Sequence, residues 1–236
     1  MKENNNDEID KTDSHDKWDK YKGNEIPFSL NLFSVFYKYV RNDFRILDIG
    51  TGTGRIAIHL GERGYFVEGV DINKNGIRLA RKESNGRNLS ERVKFRVTNA
   101  TNLAYEANSF HMVILQAVMT TFANNEDRNK VLQEVFRVLK PKGLIYLAVF
   151  GQTWHSELYK TRYLRDFPKT KEMGSFLCYD KETGDFEYIA HHYTEKELSL
   201  LLTENKFRIL EFQTKEFITR NGNKTVGFVV IARKSI

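Results

Sequence analysis

The run Leu47-Asp48-Ile49-Gly50-Thr51-Gly52-Thr53-Gly54 constrains the fold more than any other stretch of the chain. Apolar residues around a single acid are typical of the end of a buried strand, and alternating glycines then require a tight turn. Glycine is favoured where the backbone adopts a positive φ or where a ligand approaches the main chain, because a Cβ would collide there. The run therefore predicts a strand, a loop that binds a small molecule, and the start of a helix.

The spacing of the glycines indicates which molecule the loop binds. Gly50, Gly52 and Gly54 form Gly-x-Gly-x-Gly, whereas dinucleotide-binding domains use Gly-x-Gly-x-x-Gly. Asp48, two residues before the first glycine, suits a ligand with a cationic group near the loop. Asp71 ends the next predicted strand about 20 residues further on, where an acid accepts hydrogen bonds from ribose hydroxyls. A ribose at one end and an ammonium group at the other describe S-adenosylmethionine.

These motifs resemble those of the class I S-adenosylmethionine-dependent methyltransferases, in particular the methyltransferase type 11 group. Besides the glycine loop, the resemblance rests on Gly69-Val70-Asp71-Ile72 and on residues 135–143, which match the family's sequence before its fifth strand, and it extends from about residue 40 to residue 150. It implies S-adenosylmethionine as the cofactor. The residues expected to bind this cofactor are Tyr21, Asp48, Gly50, Thr51, Gly52, Gly54, Asp71, Ile72, Asn99, Ala100 and Gln116.

Three of these residues follow predicted strands further along the chain. The family usually has Asp-Ala in place of Asn99-Ala100, with the acid bonding the adenine amino group and the next backbone amide reaching a ring nitrogen. The side-chain oxygen of Asn99 can accept the same hydrogen bond, so the prediction of an adenine site is weaker but stands. Gln116 lies at the carboxyl end of its strand, where its backbone is expected to reach the amino acid part of the cofactor. His111 replaces an acid usual in the family and is interpreted as structural.

The order of the predicted elements defines the fold class. Strand and helix patterns alternate as far as residue 150, which predicts a parallel sheet with right-handed crossovers. The extended runs 207–217 and 225–233 flank Arg220-Asn221-Gly222-Asn223, a strong hairpin signal. Together with the resemblance, this order predicts an α/β fold with a Rossmann-like, doubly wound, mostly parallel seven-stranded sheet and a C-terminal antiparallel hairpin. The hairpin separates the resembled methyltransferases from nucleotide-binding dehydrogenases.

The chain divides into a polar N-terminal segment, residues 1–25, and a methyltransferase domain, residues 26–236. Residues 1–13 are predicted to be disordered. Trp18 and Tyr21 have helical spacing, and in the resembled family such an aromatic segment closes over the cofactor; a helix pinned to the surface is the alternative. Residues 151–192, rich in aromatic side chains, are interpreted as a lid-like insertion that forms the acceptor pocket. The alternative is an insertion that covers only its own apolar surface.

Composition is ordinary for a soluble enzyme, with 40% apolar and 29% charged residues. No apolar run approaches the roughly 18 to 20 residues needed to cross a bilayer, so we expect a cytoplasmic protein without a membrane partner. Cys178 is the only cysteine, which excludes an internal disulfide and a cysteine metal cluster. We expect no metal site.

The predicted activity is methyl transfer from S-adenosylmethionine to a small organic acceptor by in-line displacement. The sulfonium methyl is already activated, so alignment and exclusion of water are the main tasks. His155, His191 and His192 flank the proposed lid and are candidates for a general base, although each is more often structural, so the catalytic residue stays unassigned. The net charge of +6 keeps an RNA-modifying methyltransferase as an alternative. A cofactor-binding protein without turnover is another alternative, and an oxidoreductase is the weakest.

Overall fold

The computed structural model describes Trp18, Tyr21 and residues 31–180, 182–219 and 222–235. The predicted disorder of residues 1–13 and the first half of the predicted hairpin turn, residues 220–221, lie outside the described residues. The helices are α1 (Ser34–Tyr39), α2 (Arg55–Glu62), α3 (Lys74–Gly86), α4 (Asn125–Val138), α5 (Glu157–Thr170) and α6 (Glu195–Glu204). The strands are β1 (Arg45–Ile49), β2 (Phe66–Asp71), β3 (Val93–Val97), β4 (Phe110–Gln116), β5 (Leu139–Phe150), β6 (Ser175–Tyr179), β7 (Phe186–His191), β8 (Phe207–Ile218) and β9 (Lys224–Lys234).

The main sheet has seven strands in the order β3-β2-β1-β4-β5-β9-β8. Strands β1 to β5 pair in parallel, and β9 pairs antiparallel with both β5 and β8. The predicted Rossmann-like fold with a mostly parallel sheet and a C-terminal antiparallel hairpin is therefore confirmed. Chain order reverses between β1 and β4, and open α/β sheets bind ligands at the carboxyl ends of the strands at such a point.

The two faces of the sheet pack against two apolar layers. Leu47 and Ile49 of β1 contact the layer that includes α4 and α6, whereas Ile46 contacts the layer that includes α1, α2 and α3. Because β1 and β4 are buried on both faces, their sequences are continuous apolar runs rather than alternating ones. No helix in the described part of the chain is long and apolar enough to cross a membrane.

His111, at the start of β4, is a structural residue. Its Nδ1 accepts a hydrogen bond of 2.9 Å from the backbone N–H of Arg45, and its ring stacks on Phe44. The contact ties the start of β1 to the start of β4. This end of the sheet is opposite to the carboxyl ends of the strands, so the change from the family's acid affects packing and not the site.

Strand β5 starts earlier than the sequence indicates. Pro141 and Gly143 predict a turn and place the start of the strand at Leu144, but the chain is already extended at Leu139. The pairing register with β4 shifts at this point. Lys142 has φ 63°, in the left-handed region where glycine is less strained, so the chain turns between Leu139 and Leu144.

Residues 151–192, which we call the lid segment, form a separate unit of α5 and a two-stranded antiparallel sheet of β6 and β7. Tyr159 and Tyr163 of α5 pack against Phe176 and Ala190 of this sheet and form a small core of their own. The lid segment thus covers part of its own apolar surface. It also contacts the main domain, as described below.

Candidate cofactor and acceptor site

A pocket lies at the carboxyl ends of β1, β2, β3 and β4. Most of the cofactor residues expected from the sequence line it, namely Tyr21, Gly50, Gly52, Asp71, Ile72, Asn99, Ala100 and Gln116. Asp48, Thr51 and Gly54 do not line it. The pocket is therefore built by residues far apart in the sequence that the parallel strands bring to one edge of the sheet.

The glycine loop has the backbone that its sequence requires. Gly50 and Gly54 have φ values of +72° and +81°. A Cβ on Gly50 would lie 2.6 Å from the side chain of Val118, and one on Gly54 would lie 2.6 Å from the ring of Phe95. Gly50 therefore lets the loop approach the segment after β4, whereas Gly54 lets the start of α2 pack close to β3. The latter is a structural role beneath the pocket.

Asp48 is buried behind the glycine loop, with its side chain 1% exposed. It accepts a hydrogen bond of 2.6 Å from the hydroxyl of Thr51. Burial raises the pKa of Asp48 to about 7, and the negative charge of Asp71 adds to this effect. Asp48 thus fixes the loop from within, and a cationic ligand above the loop would favour its ionised form.

Asp71 joins the glycine loop to the start of α3. Its Oδ2 accepts a hydrogen bond of 2.7 Å from the backbone N–H of Gly52, and its Oδ1 accepts one of 2.9 Å from that of Asn73. The position of this carboxylate at the end of β2 fits a ribose diol.

Gln116 carries an amide that lacks partners within the described residues. Its side chain is 3% exposed, and neither Nε2 nor Oε1 forms a hydrogen bond there. Ile49 pairs with Leu115, so Gln116, the last residue of β4, lies beside Gly50. The unsatisfied amide of a buried side chain costs about 1–3 kcal/mol, which a polar ligand group in the pocket would relieve. The sequence placed the backbone of Gln116 at the cofactor and gave no signal for its side chain.

The described part of the N-terminal segment and the lid segment form an aromatic roof over this pocket, defined by Trp18, Tyr21 and Tyr188. The ring of Trp18 lies 5.3 Å from that of Tyr188 and 5.8 Å from that of Tyr21. The hydroxyl of Tyr21 donates to Glu187 on β7 at 2.5 Å. The Nδ2 of Asn73 donates to the carbonyl groups of Trp18 and Tyr21. The sequence singled out Tyr188 only as one of many aromatic residues of the lid segment.

The three histidines proposed as candidate bases lie elsewhere. His155 is exposed, whereas His191 and His192 are buried, and none of them lines the pocket. The ring of His192 stacks on Phe150, its Nδ1 forms a hydrogen bond of 2.8 Å with the hydroxyl of Tyr163, and burial lowers its pKa to about 3. His192 is thus a neutral core residue of the lid segment.

A buried ion-pair network attaches the lid segment to α4. Arg128 is 1% exposed and donates to both carboxylate oxygens of Glu172, at 2.5 and 2.8 Å, and to the carbonyl of Phe122. Ligand atoms of Glu172, His191 and Glu197 lie within 4.8 Å of one another. Because the guanidinium group already holds Glu172 at both oxygens, this cluster is a structural salt bridge.

The sequence and the fold match known proteins. A family model described as a methyltransferase domain matches residues 47–147. The crystal structure of a SAM-dependent methyltransferase from Methanosarcina mazei is 47% identical, covers 88% of this chain and 100% of its own, and superposes with a TM-score of 0.84. This chain belongs to the SAM-dependent methyltransferase family. The cofactor of that family is S-adenosylmethionine.

More distant relatives show how far the similarity extends. The ubiquinone/menaquinone biosynthesis C-methyltransferase UbiE of Rickettsia bellii is 30% identical over 171 residues, which are 70% of this chain and 65% of that enzyme. The chain thus spans about two thirds of this curated relative. A Burkholderia thailandensis 1,6-didemethyltoxoflavin N1-methyltransferase is 20% identical, with a TM-score of 0.58 and coverage of 82% of this chain and 72% of its own, and shows the shared fold alone.

Proposed function

We propose that this protein transfers the methyl group of S-adenosylmethionine to a small organic acceptor by in-line displacement. The observation that carries the proposal is the continuity of one pocket from Asp71 and the glycine loop to the aromatic roof. One end offers carboxylate and amide groups, and the other end is apolar. Such a pocket suits a polar nucleoside cofactor beside a largely apolar acceptor.

The pocket residues fit the parts of this cofactor. S-adenosylmethionine, when bound, supplies a methyl group already activated by its sulfonium. Asp71 would accept hydrogen bonds from the ribose hydroxyls, with Ile72 beside the base. The amide of Gln116 offers one acceptor and two donors, which match an ammonium and a carboxylate group. The N–H groups of Gly50 and Thr51 both donate to the carbonyl of Val70, so they are not available to that carboxylate.

The aromatic roof would form the acceptor side of the site. Its rings exclude water and hold an acceptor against the methyl group, and alignment of this kind provides much of the rate enhancement of a displacement reaction. Burial raises the pKa of Tyr188 well above its usual range, so this hydroxyl stays protonated and does not act as a base. We infer that the lid segment acts by positioning the acceptor.

A small acceptor is favoured over RNA. The described residues that line the pocket include no lysine or arginine, although an RNA-binding surface needs basic groups near the site. The Rickettsia bellii relative is named as a C-methyltransferase of quinone biosynthesis, which also supports a small organic acceptor.

Calorimetric titration tests the proposal. We expect micromolar binding of S-adenosylmethionine and S-adenosylhomocysteine and none of NADH, followed by turnover in a screen of small acceptors. The Asp71→Ala variant should bind both cofactor forms at least about tenfold more weakly, because the ribose loses its acceptor. Binding of NADH instead, or of neither methionine derivative, would refute the cofactor assignment. Cofactor binding with no turnover on any acceptor would favour a binding protein.

A further inference from the structure

We propose that the base end of this pocket presents a hydrogen-bond donor, the Nδ2 of Asn99, and therefore does not select the amino group of adenine. The site would accept a 6-oxopurine at least as well as adenine. The inference rests on the proposed function, because it concerns the nucleoside part of the same cofactor. It differs from the expectation that the Asn99 oxygen takes the place of the family's acid.

The order of the strands places the base near Asn99. Asp71 ends β2 and suits the ribose, whereas Gln116 ends β4, on the far side of β1. Strand β3 flanks β2 on the opposite side, and Asn99 and Ala100 line the pocket just beyond its end. A nucleoside whose ribose is at Asp71 and whose tail points toward Gln116 must therefore place its base over the end of β3.

The hydrogen bonds of Asn99 fix the orientation of its amide. Its Oδ1 accepts from the backbone N–H of Thr101 and from the hydroxyl of the same residue, both at 2.9 Å. A backbone N–H is only a donor, so the oxygen and not the nitrogen must face it. An amide oxygen has two lone pairs, and both are used here. The Nδ2 forms no hydrogen bond with the described residues, and it is the group that Asn99 offers to a ligand.

Adenine and a 6-oxopurine differ in the group that would meet this donor. Adenine carries an amino group at position 6, which donates, whereas hypoxanthine carries a carbonyl oxygen, which accepts. Position 6 belongs to both the Watson–Crick edge and the Hoogsteen edge of a purine, so both edges show this difference. A donor on the protein facing the adenine amino group leaves both groups unpaired, while the carbonyl oxygen completes a hydrogen bond.

The aspartate that the family uses would reverse this preference. In Asn99→Asp one carboxylate oxygen would keep the Thr101 turn, and the second would become an acceptor for the amino group of adenine. The same oxygen would face the carbonyl of hypoxanthine without a proton between them. The substitution retains size and the local turn, so it changes the chemistry of one atom.

The test compares S-adenosylhomocysteine with S-inosylhomocysteine, the same molecule with hypoxanthine as its base, by titration calorimetry. In the wild type we expect S-inosylhomocysteine to bind at least as tightly as S-adenosylhomocysteine, because only its carbonyl oxygen completes a hydrogen bond with Nδ2, and in Asn99→Asp we expect S-adenosylhomocysteine to bind at least about tenfold more tightly than its inosine counterpart. Thr101→Val separates the effect of charge from that of lone pairs, because it frees one lone pair of the Asn99 oxygen without adding charge. The preference of Thr101→Val for S-adenosylhomocysteine should lie between that of the wild type and that of Asn99→Asp.

Each result decides the inference. A wild type that prefers S-adenosylhomocysteine as strongly as Asn99→Asp does would overturn it, since the Asn99 oxygen would then turn to the base. Unchanged selectivity in both variants would overturn it as well. A wild type that binds neither compound would refute the proposed function itself, whereas tight binding with the wrong selectivity would refute the inference alone.

Discussion

Replacing Gln116 by methionine should weaken cofactor binding and stabilise the ligand-free protein at the same time. Methionine has a similar length and no hydrogen-bonding amide. Hydrogen bonds to charged groups contribute about 1.5–3 kcal/mol, so the loss of the contact with the amino acid part should raise the Kd of S-adenosylhomocysteine roughly 10- to 150-fold. The ligand-free protein no longer buries an unsatisfied amide. Relief of about 1 kcal/mol would raise its Tm by roughly 2–4 °C.

Ligand truncation shows which contact has been lost. 5′-Methylthioadenosine retains the base, the ribose and the sulfur but lacks the amino acid part, so its Kd should be the same in the wild type and in Gln116→Met. Gln133, exposed on α4, provides the matched control, since Gln133→Met should change neither the Kd of either ligand nor the Tm. Equal weakening of both ligands in Gln116→Met, or undiminished binding of S-adenosylhomocysteine, would refute the assignment of this amide to the amino acid part.

Three further perturbations follow from the site. Gly54→Ala should lower the free energy of unfolding by several kcal/mol, since its Cβ would meet the ring of Phe95 at a positive φ; Gly64→Ala has a similar φ of +91° in open space and should lose only about 1 kcal/mol in denaturant titrations. Similar losses in the two variants would contradict the packing argument. The raised pKa of Asp48 means that the unfolded chain releases this proton first, so stability should fall as the pH rises from about 4 to about 7, and Asp48→Asn should flatten the fall. A wild-type profile that is no steeper than that of the variant would show that the carboxyl is not buried as described. His155→Ala should leave cofactor affinity unchanged, because this exposed side chain lies outside the pocket; a large loss of affinity in calorimetry would contradict this position.

The sequence was most informative where backbone geometry and chemistry coincide. The glycine loop and Asp71 could be predicted because a positive φ favours glycine and ribose binding favours an acid at the end of a strand, and both residue types are visible in the sequence. The orientation of a side chain cannot be predicted from residue type in this way. Whether Gln116 is satisfied depends on groups that the fold brings near it, and the use of both lone pairs of Asn99 depends on the local turn to Thr101.

The early start of β5 and the aromatic roof could not be predicted from the sequence for a related reason. Pro141 and Gly143 have the composition of a turn, and the pairing of β5 with β4 passes from Leu139 directly to Leu144, so a local turn signal could not show that the strand begins before it. Trp18 and Tyr188 are 170 positions apart, and single-sequence spacing cannot indicate that their rings meet. The helical spacing of Trp18 and Tyr21 indicated an ordered segment without showing which surface it covers.

The salt bridge between Arg128 and Glu172 restricts how this enzyme can be recombined with its relatives. The lid segment, residues 151–192, has its own sheet and core, which suggests that it could be exchanged as a unit. The fully buried half of this charge pair, Arg128, lies outside it, on α4. A chimera that takes residues 151–192 from a relative without an acid at the position of Glu172 would leave the buried guanidinium of Arg128 without this partner, which would lower the free energy of unfolding by about 3–5 kcal/mol. A chimera of this kind therefore has to exchange Arg128 and the residue at position 172 together.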